Sequence, residues 1–216
     1  MTNPGIQSAT PTIRVAVLLL AAGEGSRLGG YPKALLKKDG QTLLERLVVS
    51  TQSMAPIEFV VVTGFYAKAI ENEIDRLNRA HDLVIKTYQN PHPEKGQSSS
   101  IRLGLESLQS VFDVLLVALS DQPEIGHLEI SELLGGFTNR PPGTQIVLPM
   151  VGNQRGNPVL FSRGAVDEIL ATTQMVCRSY MDANPALIYR LHTSRQAFIQ
   201  DVDTAQDISK YQLTKS

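Results

Sequence analysis

Cysteine is almost absent from this 216-residue chain, where Cys177 stands alone. A lone thiol excludes an intrachain disulfide and fits a reducing compartment, so the cytoplasm is the expected location. Charge of one sign is missing too. Lys and Arg number 20 against 21 Asp and Glu, a formal net charge of −1, and no long basic block interrupts the sequence. The electrostatic footprint of a nucleic-acid-binding surface is therefore lacking, and nucleic acid is not an expected partner. Long hydrophobic runs are also lacking: the longest, Val15 to Ala22, falls far short of the ~20 residues a membrane-spanning helix needs. No membrane association is expected. Nor does that run read as a targeting signal, because residues 1 to 13 carry no Lys or Arg and a glycine-rich turn follows at once. It reads as a buried strand. Finally, His81, His92, His127 and His192 are scattered without ligand spacing, and none lies near Cys177 in sequence. Zinc catalysis and a cysteine nucleophile drop out.

What is present is ordinary globular composition, 42% hydrophobic and 19% charged, which excludes a disordered, collagenous or disulfide-stapled chain. The length favours one compact domain over residues 13–216, after a polar and frayed start at 1–12. Four apolar runs rich in branched residues recur: Ile13 to Leu20, Ile57 to Thr63, Leu83 to Tyr88 and Val114 to Leu119. Continuous rather than alternating apolar runs are the mark of parallel strands covered on both faces. Between them, about 42–53, 66–79 and 98–110, apolar residues fall three or four apart, as in Ile70, Ile74 and Leu77. The alternation reads as βαβ units and predicts an α/β fold with a mostly parallel, Rossmann-like sheet flanked by helices. Further on, helices are expected from His127 to Leu134, from Ala165 to Leu170 and from near Thr204. Strands are expected at Gln145 to Met150, Pro158 to Phe161 and Ile188 to Leu191.

The first strand runs into a loop with glycines at 23, 25, 29 and 30 and cations at Arg27 and Lys33. Glycines let backbone approach a ligand, the cations suit phosphate, and α/β sheets bind ligands beyond the carboxyl ends of their strands. Two familiar phosphate loops are excluded. Leu28 stands where the dinucleotide fingerprint needs its third glycine, and Tyr31 and Pro32 occupy the lysine and hydroxyl positions of a Walker loop. The fourth run ends in Ser120-Asp121-Gln122-Pro123, which places a carboxylate at the same edge, suited to a magnesium ion bridging phosphates. Gly96-Gln97-Ser98-Ser99-Ser100 opens a helix, and at least one of its serines is expected to cap it. Gly152 to Val159 reads as a turn before a strand, with amides and a cation for a polar second substrate or simply a β-turn. Asp203 reads as a second metal ligand or as the cap of the last helix, and the spacing favours the cap.

Together these segments resemble the molybdenum cofactor cytidylyltransferases of the MobA-like nucleotidyltransferase superfamily. The resemblance rests on Leu20-Ala21-Ala22-Gly23 through Arg27, Pro32-Lys33-Ala34-Leu35-Leu36, Gly96 to Ser100 with Gly104-Leu105, Asp121-Gln122-Pro123, Gly156-Asn157-Pro158-Val159-Leu160-Phe161, and Asp201-Val202-Asp203-Thr204. It implies a nucleotidyltransferase fold and magnesium-dependent transfer of CMP from CTP to molybdopterin, with release of pyrophosphate and delivery of the product to a molybdoenzyme. Nucleotide binding would then fall to Leu20, Ala21, Ala22, Gly23, Gly25, Arg27, Lys33, Ser99 and Ser100, with Ala22 favouring cytidine over guanosine. Arg27, Lys33 and Asp121 would be catalytic, Asp121 and Asp203 would hold Mg2+, and Gly156, Asn157 and Pro158 would meet the acceptor. The chemistry agrees, because an attacking phosphate is already anionic and needs neutralised charge more than a general base. The sequence departs from the family at Asn157, where relatives carry histidine, at Met175 to Tyr180, and at Thr204-Ala205-Gln206-Asp207. Alternatives are guanylyl or other nucleotidyl transfer to another phosphorylated acceptor, and a non-catalytic protein that binds and delivers a cofactor.

Overall fold

The structure, a computed structural model, describes residues 13–215, so the frayed start expected at 1–12 lies outside the described residues. In chain order the elements are β1 (Val15–Ala21), β2 (Lys37–Lys38), β3 (Gln41–Thr42), α1 (Leu43–Thr51), β4 (Glu58–Thr63), α2 (Ala67–His81), β5 (Ile85–Gln89) and α3 (Gln97–Ser107). They continue with β6 (Val114–Leu119), α4 (His127–Thr138), β7 (Ile146–Val151), β8 (Gln154–Arg155), β9 (Val159–Ser162), α5 (Arg163–Ala171), α6 (Cys177–Ala183), β10 (Ile188–His192) and α7 (Ala205–Lys210). The main sheet has the order β10-β7-β9-β6-β1-β4-β5, with β8 paired to β7. β5, β4, β1 and β6 run parallel, and β9 alone inserts antiparallel between β6 and β7. The mostly parallel sheet read from the sequence is what forms.

β1 is buried over its whole length because both of its faces are covered. Side chains alternate across a strand. Accordingly Val15, Val17 and Leu19 join a core built with α1, α2 and α4, while Ala16, Leu18 and Leu20 join another built with α3, α5 and α6. Each such Val or Leu removed from water contributes about 1.5–3 kcal/mol, which fixes the sheet register. Ile70, Ile74 and Leu77 lie on the buried face of α2, as their spacing requires. Helix α1 starts where the Thr42 hydroxyl accepts a hydrogen bond from the Glu45 amide at 3.0 Å. Three short elements have no counterpart in the sequence reading: the β2–β3 hairpin, β8 and α6. The first two make only two residue pairs each, and α6 spans 7 residues, too few for a period to show.

The consequence for function is positional. Because β6, β1, β4 and β5 point the same way, Asp121, the glycine loop, Gly64 and Asn90 emerge side by side at one edge of the sheet. β7 runs the same way as β6, since both are antiparallel to β9, so the 152–158 turn opens at that edge as well.

Candidate active site

The loop after β1 is shaped by its glycines. Gly25 and Gly29 adopt left-handed φ of 63° and 73°, and a Cβ on Gly25 would collide with the Tyr31 carbonyl. Only glycine combines that φ with that lack of room. The Gly25 carbonyl accepts from the amides of Leu28 (2.8 Å) and Gly30 (3.1 Å), closing the turn. Leu28 is buried in a small core with Leu36, Leu43, Val202, Tyr211 and Leu213. This anchors the loop from beneath and leaves the Arg27 side chain 71% exposed. Gly23 has no atom within 4 Å of the position its Cβ would take, so the backbone there is open to a ligand.

Lys33 stands at the centre of the site. Its Nζ donates to Asp121 Oδ2 at 3.1 Å and to Asp203 Oδ1 at 2.5 Å, and Arg27 donates to the other Asp203 oxygen at 3.1 Å. Four charges thus form one chain, Arg27–Asp203–Lys33–Asp121. The C-terminal segment brings Asp203 there: Val202 is fully buried beside Leu28, and its amide donates to the Asp121 carbonyl at 3.0 Å. This corrects the expectation that Asp203 caps the last helix. Thr204 is the cap of α7, its hydroxyl accepting from the Asp207 amide, while Asp203 faces the two cations.

Burial pulls the Lys33 ammonium down, but the facing Asp121 and Asp203 carboxylates outweigh it and hold its pKa above the ordinary lysine value. Burial raises Asp121 above the usual carboxylate range against the pull of Lys33, whereas the hydrogen bond from Lys33 holds Asp203 below it. Asp121 Oδ1 is buried with no hydrogen-bond partner. A desolvated carboxylate oxygen with free lone pairs, near a second carboxylate on the same ammonium, suits a hard divalent cation such as magnesium. Among the described residues no three Asp, Glu, His or Cys side chains converge to hold a metal. The two aspartates would therefore need phosphate and water oxygens to complete a coordination shell.

A cleft of about 440 Å³ runs from this charged cluster along the sheet edge, with Leu20, Ala21, Ala22, Gly23, Lys33, Ser100 and Asp121 among its walls. Gly25, Arg27, Ser99 and Asp203 stand outside the lining; Arg27 and Asp203 connect to it through Lys33. At the far end Ser100 is buried, and Asn90 Nδ2 donates to both Ser99 Oγ (2.8 Å) and Ser100 Oγ (3.0 Å). Asn90 is itself buried and was not singled out from the sequence, where it stands alone after a strand. The serines do not cap α3, contrary to expectation. Gly96 is the cap residue and no side chain closes the helix, while Ser99 Oγ donates to the Gly96 carbonyl at 2.8 Å.

A second cavity, about 510 Å³, adjoins the first across Leu20, Gln97 and Leu119. Gly156 and Asn157 line it and Pro158 does not. Its floor is apolar, with Val117, Leu148, Val159 and Met181, and Arg155 and Arg178 stand at its rim. Gln122, next to Asp121, ties this wall to the Asp121 edge: its Nε2 donates to the carbonyls of Asn157 (3.0 Å) and Phe198 (3.2 Å). Cys177 also lines this cavity, but burial pushes its thiol up to about 12, far from the thiolate a nucleophile requires.

Among proteins of known sequence, the chain is 27% identical over 155 residues to the bifunctional protein GlmU of Prochlorococcus marinus, which covers 71% of this chain and 33% of GlmU. The chain thus spans about a third of that relative's length. It is 29% identical over 200 residues to the nicotine blue oxidoreductase of Paenarthrobacter nicotinovorans, covering 90% and 94% of the two chains. Among solved structures it superposes on Rv0371c from Mycobacterium tuberculosis with a TM-score of 0.71 at 19% identity, over 91% of this chain and 97% of that one. A manganese complex of Rv0371c gives a TM-score of 0.65 at 17% identity, over 92% and 97%. The chain also superposes on a nucleotidyl transferase from Methanothermobacter with a TM-score of 0.69 at 20% identity, over 91% of this chain and 95% of that one, and it thus has the nucleotidyltransferase fold. The pattern of the MobA-like NTP transferase domain matches residues 17–186, from within β1 through α6, and the chain belongs to that family.

Proposed function

We propose that the chain transfers CMP from CTP to the terminal phosphate of molybdopterin, with release of pyrophosphate, in a magnesium-dependent reaction. The observation that carries this reading is the alternating cluster Arg27–Asp203–Lys33–Asp121 at the mouth of a glycine loop. Without ligand its charges neutralise one another. A metal–triphosphate complex brings both signs at once, so the phosphates take the cations and the metal takes the carboxylates. Asp121 and Asp203 would hold the ion, which when bound spreads positive charge over the phosphates. Lys33 donates to the triphosphate from a site that is one-fifth exposed, where its charge is little screened. Arg27, farther out, covers the exposed flank. An acceptor phosphate oxygen attacks the α-phosphorus and the bond to the bridging oxygen of pyrophosphate breaks; the attacking group is already anionic, so no general base is required.

Ala22 and Ser100 would read the base, and the apolar floor with Arg155 and Arg178 at its rim suits an acceptor with a flat ring body and a phosphate. The divalent ion is supported by the manganese bound to Rv0371c. A second reading has one observation behind it: a relative that matches over nearly its full length is named for oxidoreduction of nicotine blue, so a protein similar to this chain from end to end can carry a different reaction name. The test is pyrophosphate release by purified protein with magnesium, molybdopterin and each of CTP, GTP, ATP and UTP. Release with CTP alone is expected. Release only with another nucleotide or acceptor overturns the base or acceptor assignment, and turnover of nicotine blue without any nucleoside triphosphate would favour the second reading. Binding of CTP without turnover would favour a carrier, which would then deliver a finished cofactor to a molybdoenzyme.

A further inference from the structure

The cleft has its one lining cation at one end. Lys33, with Asp121, lies at β1 and β6; the opposite end, beyond β4 and β5, is walled by Ala22, Phe65, Pro93, Glu94, Gly96 and Ser100 and by no cation. Phe65 is unusual there. It is one of few large apolar side chains left exposed among the described residues, at 44%, although it lies only two residues after a fully buried strand. Its position is fixed by the residue before it. A Cβ on Gly64 would lie 2.6 Å from the Ala22 carbonyl and 2.9 Å from Pro93 Cβ, so the turn after β4 is pressed against both the phosphate loop and the β5–α3 connection. The chain then enters α2, whose first turn starts with the Ala67 amide donating to the Gly64 carbonyl at 3.2 Å. Phe65 is therefore held on a short rigid bend, with its ring in the cleft wall and unspent apolar surface.

Resting on the nucleotide site proposed above, we infer that Phe65 is a platform on which the nucleobase stacks, while Ser100 and the backbone around Ala22 address its edge. A ring face binds any planar base through dispersion and burial. Phe65 thus supplies affinity for a nucleotide over a bare polyphosphate, and leaves the choice among bases to Ala22 and Ser100. Inorganic tripolyphosphate fills only the charged end and gains nothing from the ring.

The chain contains no tryptophan, so Phe65→Trp installs a single indole in the cleft. With magnesium present, CTP is expected to quench or shift its emission saturably, and tripolyphosphate at saturating concentration is not. In titration calorimetry, Phe65→Ala should bind CTP on the order of 5- to 150-fold more weakly than wild type, from stacking contributions of this kind. Phe65→Tyr should bind like wild type, and tripolyphosphate affinity should be the same in all three. Unchanged CTP affinity in Phe65→Ala, or equal losses for CTP and tripolyphosphate, overturns the inference while leaving the nucleotide site intact. A wild-type protein that binds neither CTP nor any other nucleoside triphosphate overturns the site and the platform together.

Discussion

Replacing Lys33 by methionine keeps most of the unbranched stem, one atom shorter, and removes its charge, and its consequences run in opposite directions in two assays. In the ligand-free protein Nζ lies 3.1 Å from Asp121 and 2.5 Å from Asp203, at only 20% exposure. Unit charges ~4 Å apart at an effective dielectric of ~20 interact by about 4 kcal/mol, and the 42% exposure of Asp203 reduces its share. Deleting the ammonium therefore leaves Asp121 without its ion pair and Asp203 with Arg27 alone, so both are freer to take a cation. Magnesium alone should bind the variant more tightly than wild type, by about tenfold. In the transfer proposed above, the same deletion would remove the cation that meets the charge developing on the phosphates, worth about 2–4 kcal/mol, so kcat/KM for the nucleotide should fall about 30- to 1000-fold. Magnesium titration by calorimetry and a coupled pyrophosphate assay read the two effects separately. Lys33→Arg should rescue little, because a planar fork cannot replace a compact ammonium between two carboxylates. Near-wild-type kcat/KM in Lys33→Met, or unchanged magnesium affinity, would refute the assignment of Lys33 as the ion that changes partners when substrate binds.

Asn90→Ala removes the donor shared by Ser99 and Ser100 and the acceptor of the His92 amide at 2.9 Å; it should destabilise the fold by about 1–3 kcal/mol in urea unfolding and weaken nucleotide binding more than tripolyphosphate binding. Gly64→Ala forces a Cβ to within 2.6 Å of the Ala22 carbonyl and should cost about 1–3 kcal/mol of stability together with nucleotide affinity, read by thermal unfolding and calorimetry. Ala22→Gly should relax the preference for CTP over GTP in pyrophosphate release; an unchanged ratio would show that Ala22 does not set it. Asp113 accepts from the backbone and guanidinium of Arg14, whose hydrogen bonds lower its pKa to about 2. A depressed carboxylate pKa stabilises the fold above the unfolded-state value and ceases to do so as pH falls through the folded one. Wild-type stability should therefore decline between about pH 4 and pH 2 more steeply than that of Asp113→Asn, measured by chemical unfolding across that range.

The sequence by itself determined the layers and the loop. Apolar runs such as Val15 to Leu20 and Val114 to Leu119 can bury both faces only as central parallel strands, and Ile70, Ile74 and Leu77 can share one face only on a helix. The glycines around Arg27 marked the loop because left-handed backbone and close approach are local demands, and Asp121 was visible as a carboxylate ending a central strand. Tertiary structure decided the rest. The reversal of β9 depends on which neighbours accept its edge, since its four residues carry no directional signal. Asp203 looked like a helix cap because capping is read from adjacent residues; its contact with Lys33 spans 170 positions and exists only because Val202 is buried against Leu28. Asn90 and Phe65 were silent for the same reason. A single asparagine or phenylalanine after a strand has no period and no motif, and its meaning arises only when the parallel sheet sets its strand end beside another.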